Sequence, residues 1–485
     1  MVFSSAAFLI FLFAFAALFS LTKKSPWVLL TGSIVFYLTV APKYLVVLAA
    51  VTVFAWGLGL SIGRAADEKQ KMRRTAAGVI GFLLLLALFK YGILRTLVLG
   101  PVVPSGLLSG IVLPVGMSYY LFKVIGYLVD VYWEKYEPEK SLVAFASYVS
   151  FFPQIVSGPI QRPADFLGQL RAAEVTGAMW RSGLKRLFFG LFVKLVVTAY
   201  LGELVDPVYS APKGKSALVV LIAFYLFALQ LYADFSAVTS IAIGAGKLFG
   251  ITGPENFDAP FLAPNLPDFW RRWHMSLTSW LTDYVYTPVR HLLRERGDLG
   301  LAVALMANMV AVGVWHGERL TYLMFGVVNG VMMSAAALTQ KRRNRFFRSR
   351  PRLAKARSYY GPVVTFHIIV FAFVFFRAGT LADAWALLGQ LAGGLGSTLV
   401  HPGSVKLGQI VRDVRAMGFT ASHGVPLVIG LVMMAVGHHL LRTPSAKERF
   451  LALPWYGRWA AYYAAVVLIL VFGRFEVDSF IYAQF

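Results

Sequence analysis

The chain has 485 residues, of which 58% are hydrophobic, 15% aromatic and only 14% charged. With a mean hydropathy of +0.67 it is too apolar for a water-soluble globular domain. Its formal net charge of +23 would suit a nucleic-acid binder, but the cations sit in short loops between apolar runs, as the positive-inside rule distributes them, so no nucleic-acid partner is expected. The absence of cysteine excludes disulfides, thiolate metal sites and a thioester formed on the protein itself.

In chain order, apolar runs predict helices near 6–21, 27–41, 44–62, 76–94, 108–132, 184–204, 217–246, 300–315, 320–339, 361–376, 424–441 and 457–473. Lipid offers the backbone no hydrogen bonds, so each span must satisfy its own. The expected fold class is therefore an all-α polytopic membrane protein of about 11–13 transmembrane helices. The whole chain, residues 1–485, reads as one membrane domain with membrane lipid around it. Aromatic residues at segment ends, among them Trp27, Tyr44, Tyr91, Trp133, Tyr322 and Trp459, suit anchoring at the two interfaces.

The first run has no Lys or Arg before it and Lys23 and Lys24 after it, the reverse of a cleavable signal peptide. It is expected to remain as a first helix with its N-terminus outside. The run 142–158 contains Pro153 and ends at Gly158 and Pro159, which break helices, so it is expected to dip in and return under cover of other protein. Counting from an external N-terminus then puts every basic patch inside: Arg64 to Arg74, Arg162 to Arg186, Arg271 to Arg296, Lys341 to Arg357 and Arg442 to Arg449. The C-terminus falls outside. The stretch from Ala378 to His423 reads as an external excursion.

Between 250 and 317 the sequence carries its chemistry. From Asp268 to Tyr284 a helical projection gathers Phe269, Trp273, Leu277, Trp280 and Tyr284 on one side and Arg271, Thr278 and Thr282 on the other. Such a helix is expected to lie in the membrane interface, with Asp268 either capping it or favouring its positive N-terminus. Two readings of His274 stand side by side, a hydrogen-bonded structural histidine and a group near an acyl donor. Arg271, Arg272 and Arg290 are candidates for donor phosphates, or plain interfacial anchors.

His316 ends an apolar span in Val314-Trp315-His316-Gly317. A titratable group at membrane depth is costly and calls for a function. A neutral imidazole can take a proton from an attacking hydroxyl, the alternative being a buried structural histidine. Asp234, Lys90, Lys123, Asp130, Lys194 and Arg377 are further charges within apolar runs. Lys90 and Lys194 lie near predicted helix ends and can snorkel outward. His291, His367, His401, His423, His438 and His439 show no ligand spacing, so no metal is expected. Gly244-Ala245-Gly246 follows no strand and is not a dinucleotide fingerprint.

These residues resemble the membrane-bound O-acyltransferase (MBOAT) family, in its bacterial branch of alginate O-acetylation (AlgI-like) proteins. The likeness runs from Met1-Val2-Phe3-Ser4-Ser5 through Leu113 to Tyr120, Phe152-Pro153-Gln154, Gly158-Pro159-Ile160 and Tyr232-Ala233-Asp234-Phe235-Ser236. It is strongest at Glu255-Asn256-Phe257, Phe269-Trp270-Arg271-Arg272-Trp273-His274, Ser276-Leu277, Trp280-Leu281 and Trp315-His316-Gly317.

The resemblance implies helices around a central funnel or tunnel, His316 in the catalytic position, and His274 and Asn256 close by. It implies acyl transfer from a cytoplasmic thioester such as acetyl-CoA, with no bound cofactor. The acceptor it implies is a polysaccharide hydroxyl or a periplasmic accessory acetyltransferase. Asp234, Trp273 and Trp315 are taken with the site, and Arg271 and Arg272 with the donor. The chain departs from its relatives at Thr282, at Val328-Asn329-Gly330 and at Ser240, which bears on donor and acceptor more than on reaction class. Transfer of D-alanine to teichoic acid is the nearest alternative. A secondary transporter with a His316–Asp234 proton relay is the alternative from another class.

Overall fold

The computed structural model describes residues 3, 5–22, 25–101, 110, 112–172, 174–400 and 407–475. Lys23, Lys24, His401, the start of the helix expected from 108 and both chain termini lie outside them. Among the described residues nine helices are long and apolar enough to cross a membrane, from Pro42–Gly63 to Trp455–Phe472. Ala6–Leu21 and Pro26–Val40 are shorter apolar helices. Met117–Tyr132 carries Lys123 and Asp130 and is buried on almost every side. The chain is thus an all-α multi-pass membrane protein, and an isolated bridge between Phe257 and Trp273 is the pairing of extended backbone found among the described residues.

The centre is the helix Ala217–Lys247, in which every residue from Ala233 to Gly246 is buried. The helix Gly177–Phe192 packs directly on it because neither side carries bulk at the crossing. A Cβ on Gly190 would sit 2.7 Å from the carbonyl oxygen of Ala237, and one on Gly244 would sit 2.5 Å from the amide nitrogen of Leu187. In lipid, where apolar faces gain little by avoiding water, close backbone approach of this kind holds helices together.

The expected re-entrant run is a broken helix, Leu142–Ser150 followed by Phe152–Ile155. From Ser147 to Ile155 it is wholly buried, so protein rather than lipid surrounds the loosened backbone. Lys123 reaches this turn, donating to the carbonyl oxygen of Tyr148 at 3.0 Å. The stretch expected as an external excursion contains the helices Leu381–Val400 and Leu407–Ala416. The first is tied back by Gln390, which donates to the carbonyl oxygen of Pro212 at 2.6 Å and accepts from the amide of Lys215 at 2.8 Å.

Lys194 does not snorkel. It lies in a π-helical segment, Val193–Thr198, and pairs with Asp234 at 2.8 Å, the two side chains being 2% and 0% exposed. The sequence placed Lys194 near the end of a helix over 184–204, but the helical stretch runs on to Ser210, so the lysine is central and turns inward. Removing one partner of such a pair leaves the other charge buried. Asp234→Leu is therefore expected to lower stability by about 3–5 kcal/mol, and adding Lys194→Met to recover most of that loss. Thermal unfolding of the purified protein in detergent checks both; a single variant melting with the parent would contradict the assignment.

Candidate functional site

The helix expected to run unbroken from Asp268 to Tyr284 is interrupted. Leu266–Arg272 ends at Trp273, His274 takes a left-handed conformation (φ 46°, ψ 51°), and Met275–Leu281 begins a new helix. A non-glycine residue in that region is strained, and such strain persists where surrounding structure over-determines it. The surroundings here are the segment Asn256 to Asp258. Asp258 N–H donates to the carbonyl oxygen of Arg272 at 3.1 Å, and Met275 N–H to that of Asn256 at 3.0 Å.

The Asn256 side chain completes the hold. Its Oδ1 accepts from Ser276 Oγ at 2.7 Å and from the Ser276 amide at 3.3 Å, and its Nδ2 donates to Thr239 Oγ1 at 3.1 Å. The first amides of the new helix, which have no partner within it, are thereby satisfied. Arginines brace both sides of the segment. Arg186 grips Glu255 through both terminal nitrogens, at 2.7 and 2.6 Å, and Arg442 reaches Asp258 at 2.5 Å.

This break also corrects the interfacial placement. Phe269, Trp273 and His274 are 0–2% exposed, packed inside protein rather than laid on the membrane surface. Nor does Asp268 cap the helix. Asn265 does, its Oδ1 accepting from the Asp268 amide at 3.0 Å, while Asp268 holds Arg272 at 2.8 Å and Arg271 at 3.4 Å.

His316 is the last residue of Gly297–His316 and is 3% exposed. Gly317 follows at φ 153°, and a Cβ there would stand 3.1 Å from the Tyr322 ring. That ring centroid is 6.1 Å from the His316 imidazole, and Phe376 is 4.7 Å away on an edge-on contact. A turn from another helix clasps this end. Lys90 donates to the carbonyl oxygen of Trp315, Tyr91 Oη to that of Val314 at 2.5 Å, and the Gly92 amide to Glu318 Oε2 at 2.9 Å. Lys90 thus turns inward rather than to the interface, because the last carbonyls of a helix lack donor partners and draw a cation.

The two histidines meet. His274 and His316 line one cavity with Trp273, Trp270 and Thr278, walled by apolar side chains from Leu277 to Phe376. The space open to the centre of a water molecule is about 10 Å³, room for one water. Trp315 stands between the histidines, its ring 5.8 Å from His274 and 4.8 Å from His316.

Of the residues singled out in sequence, Trp273, His274 and His316 line the cavity, Trp315 bridges them and Asn256 fixes the backbone beneath His274. Asp234, Arg271 and Arg272 do not line it. Asp234 is adjacent to Phe235, whose ring packs 4.4 Å from His274, while the Arg271 side chain is 71% exposed. Sequence reasoning missed Trp270, Phe235, Tyr91 and Glu318. Of these Glu318, an acid directly after an apolar span, was the legible one. Among the described residues no group of three His, Asp or Glu side chains could hold a metal ion.

Both buried histidines fall within the stretch of chain that a family model matches. Residues 139–377 match the model of the membrane-bound O-acyltransferase (MBOAT) family. A protein of Pseudomonas aeruginosa named as a probable alginate O-acetylase, AlgI, is 32% identical over 80% of this chain and 74% of its own length. The peptidoglycan O-acetyltransferase of Helicobacter pylori is 28% identical over 77% of the chain and 75% of its own length. The teichoic acid D-alanyltransferase of Bacillus subtilis is 28% identical over 54% of the chain and 68% of its own. The chain belongs to the membrane-bound O-acyltransferase family. It is an O-acyltransferase, which sets aside the secondary-transporter alternative.

Since Asn256 is buried and satisfies three partners, Asn256→Ala is expected to cost about 1–3 kcal/mol of stability by stranding them. Arg442→Ala, which opens a half-exposed ion pair, is expected to cost less than about 1 kcal/mol. Melting temperatures of the two variants in the same detergent check the contrast; equal losses would contradict it.

Proposed function

We propose that this O-acyltransferase moves acetyl from a cytoplasmic thioester, acetyl-CoA, across a bacterial inner membrane to a hydroxyl on the far side, with His316 as general base. The observation that carries this reading is the shared cavity: both histidines singled out in the sequence line it, although 42 positions of chain (His274 to His316) separate them. The hydroxyl oxygen attacks the thioester carbonyl carbon, a C–O bond forms and the C–S bond breaks. The hydroxyl proton passes to His316 and on to the leaving thiolate. The imidazole gains positive charge at the carbonyl end of its helix, where a cation is favoured.

His274 stands beside the acyl donor, and the Trp273 and Trp315 rings exclude water around it. Asn256 and, through Phe235, the Asp234-bearing helix keep His274 in place. Arg271 and Arg272 offer charge to the donor's phosphates outside the cavity. The acyl group needs more room than one water, so its entry requires the cavity walls to part. The whole chain, 1–485, acts as one membrane unit with both termini extracytoplasmic, and no cofactor is bound.

The acceptor is a polysaccharide, reached directly or through a periplasmic accessory acetyltransferase. The alginate and peptidoglycan acetylating relatives support this, since they match more of the chain than the D-alanyl transferring one does.

His316→Ala is expected to abolish polymer acetylation in cells while the protein is made and inserted at the parent level. Acetylation at the parent level from a normally inserted variant would remove His316 from the chemistry. A reporter fused after Phe485 is expected to be active outside the cytoplasm, and a cytoplasmic signal would overturn the orientation.

A further inference from the structure

The walls of the histidine cavity are mostly hydrocarbon, yet acyl transfer places negative charge on the carbonyl oxygen as its carbon becomes tetrahedral. In a dry site that charge needs a fixed donor. Thr278 lines the cavity, but its hydroxyl already donates to the carbonyl oxygen of Trp273 at 3.0 Å. Trp270 lines the same cavity and is 4% exposed, and its indole N–H has no hydrogen-bond partner among the described residues. The contrast with Trp280 is direct, since that indole donates to the carbonyl oxygen of Phe122 at 3.0 Å.

A buried donor left unmade costs about 1–3 kcal/mol, so its persistence calls for a reason, a catalytic role among them. Trp315 also has an unpartnered indole N–H, but it does not line the cavity. Trp270 sits on the helix that ends at the break, four positions before His274, so the same Asn256-held junction fixes both.

We infer that the Trp270 indole N–H donates to the acyl carbonyl oxygen of the thioester and holds the negative charge that develops there. This rests on acyl transfer occurring in the His274–His316 cavity. The electron pair of the C=O bond moves onto the oxygen facing Trp270 as the acceptor hydroxyl adds. It returns when the C–S bond breaks, and the thiolate takes the proton held by His316. Trp270 exchanges no proton with the substrate; it contributes one hydrogen bond, stronger in the transition state than in the ground state.

The test replaces Trp270 with 3-benzothienylalanine, which keeps the bicyclic shape and lacks the N–H, and in parallel makes Trp270→Phe. With full-length protein in detergent, acetyl-CoA and the purified acceptor, kcat is expected to fall about 100-fold for the isostere. KM for acetyl-CoA and the melting temperature should stay with the parent. Parent-level kcat in the isostere, with His316→Ala inactive, would overturn the role of Trp270 and leave the proposed reaction standing. A drop in melting temperature with kcat preserved would make Trp270 structural and would also overturn it. An active His316→Ala would instead overturn the reaction in this cavity, and the Trp270 role with it.

Discussion

The junction between Asn256 and the chain break at Trp273–His274 governs the rest of the site. An unbroken helix would string Trp270, Trp273, His274 and Leu277, at i, i+3, i+4 and i+7, along one face over about 10 Å of its axis. The short antiparallel pairing of Asn256–Asp258 with Arg272–Met275 stops the helix, forces His274 through a left-handed turn and restarts the chain in a new direction. Trp270, Trp273, His274 and Leu277 then all line one cavity. The strain at His274 is offset locally by hydrogen bonds that satisfy the new helix's first amides.

Around that junction the molecule is stiff by several independent means. Glycines let the Gly177–Phe192 and Ala217–Lys247 helices touch backbone to backbone. The Lys194–Asp234 pair fixes the neighbouring π segment without contact with water, and Phe235 transmits that placement to the His274 ring. On the other side Lys90, Tyr91 and Gly92 close the carbonyl end of the His316 helix. The cavity is thus framed by braced helices, so the parting that admits the acyl group falls to the aromatic side chains that line it.

Much of this was legible in the sequence. Bilayer-length apolar runs located the long helices, and their ends at Lys247, His316 and Leu338 fall within a residue or two of those expected. His316 stood out because a titratable group in an apolar span demands a reason. The break at His274 did not, because periodicity from Phe269 to Tyr284 favours a continuous helix and the partner that interrupts it lies some 17 positions earlier, at Phe257. Snorkelling was the natural reading for Lys90 and Lys194 because sequence shows a charge near a helix end, not the buried carbonyl or carboxylate that draws it inward. Trp270 was hidden for a similar reason: an indole in an aromatic motif reads as packing until its N–H is seen without a partner.

The most direct measurement is a structure of the full-length protein with a non-transferable acetyl-CoA analogue, its thioester sulfur replaced by a methylene. The expected result places the acyl carbonyl between His274 and His316, with the surrounding aromatic side chains displaced to admit it. An analogue bound elsewhere, with the two imidazoles still closed around their small cavity, would contradict acyl transfer at this site.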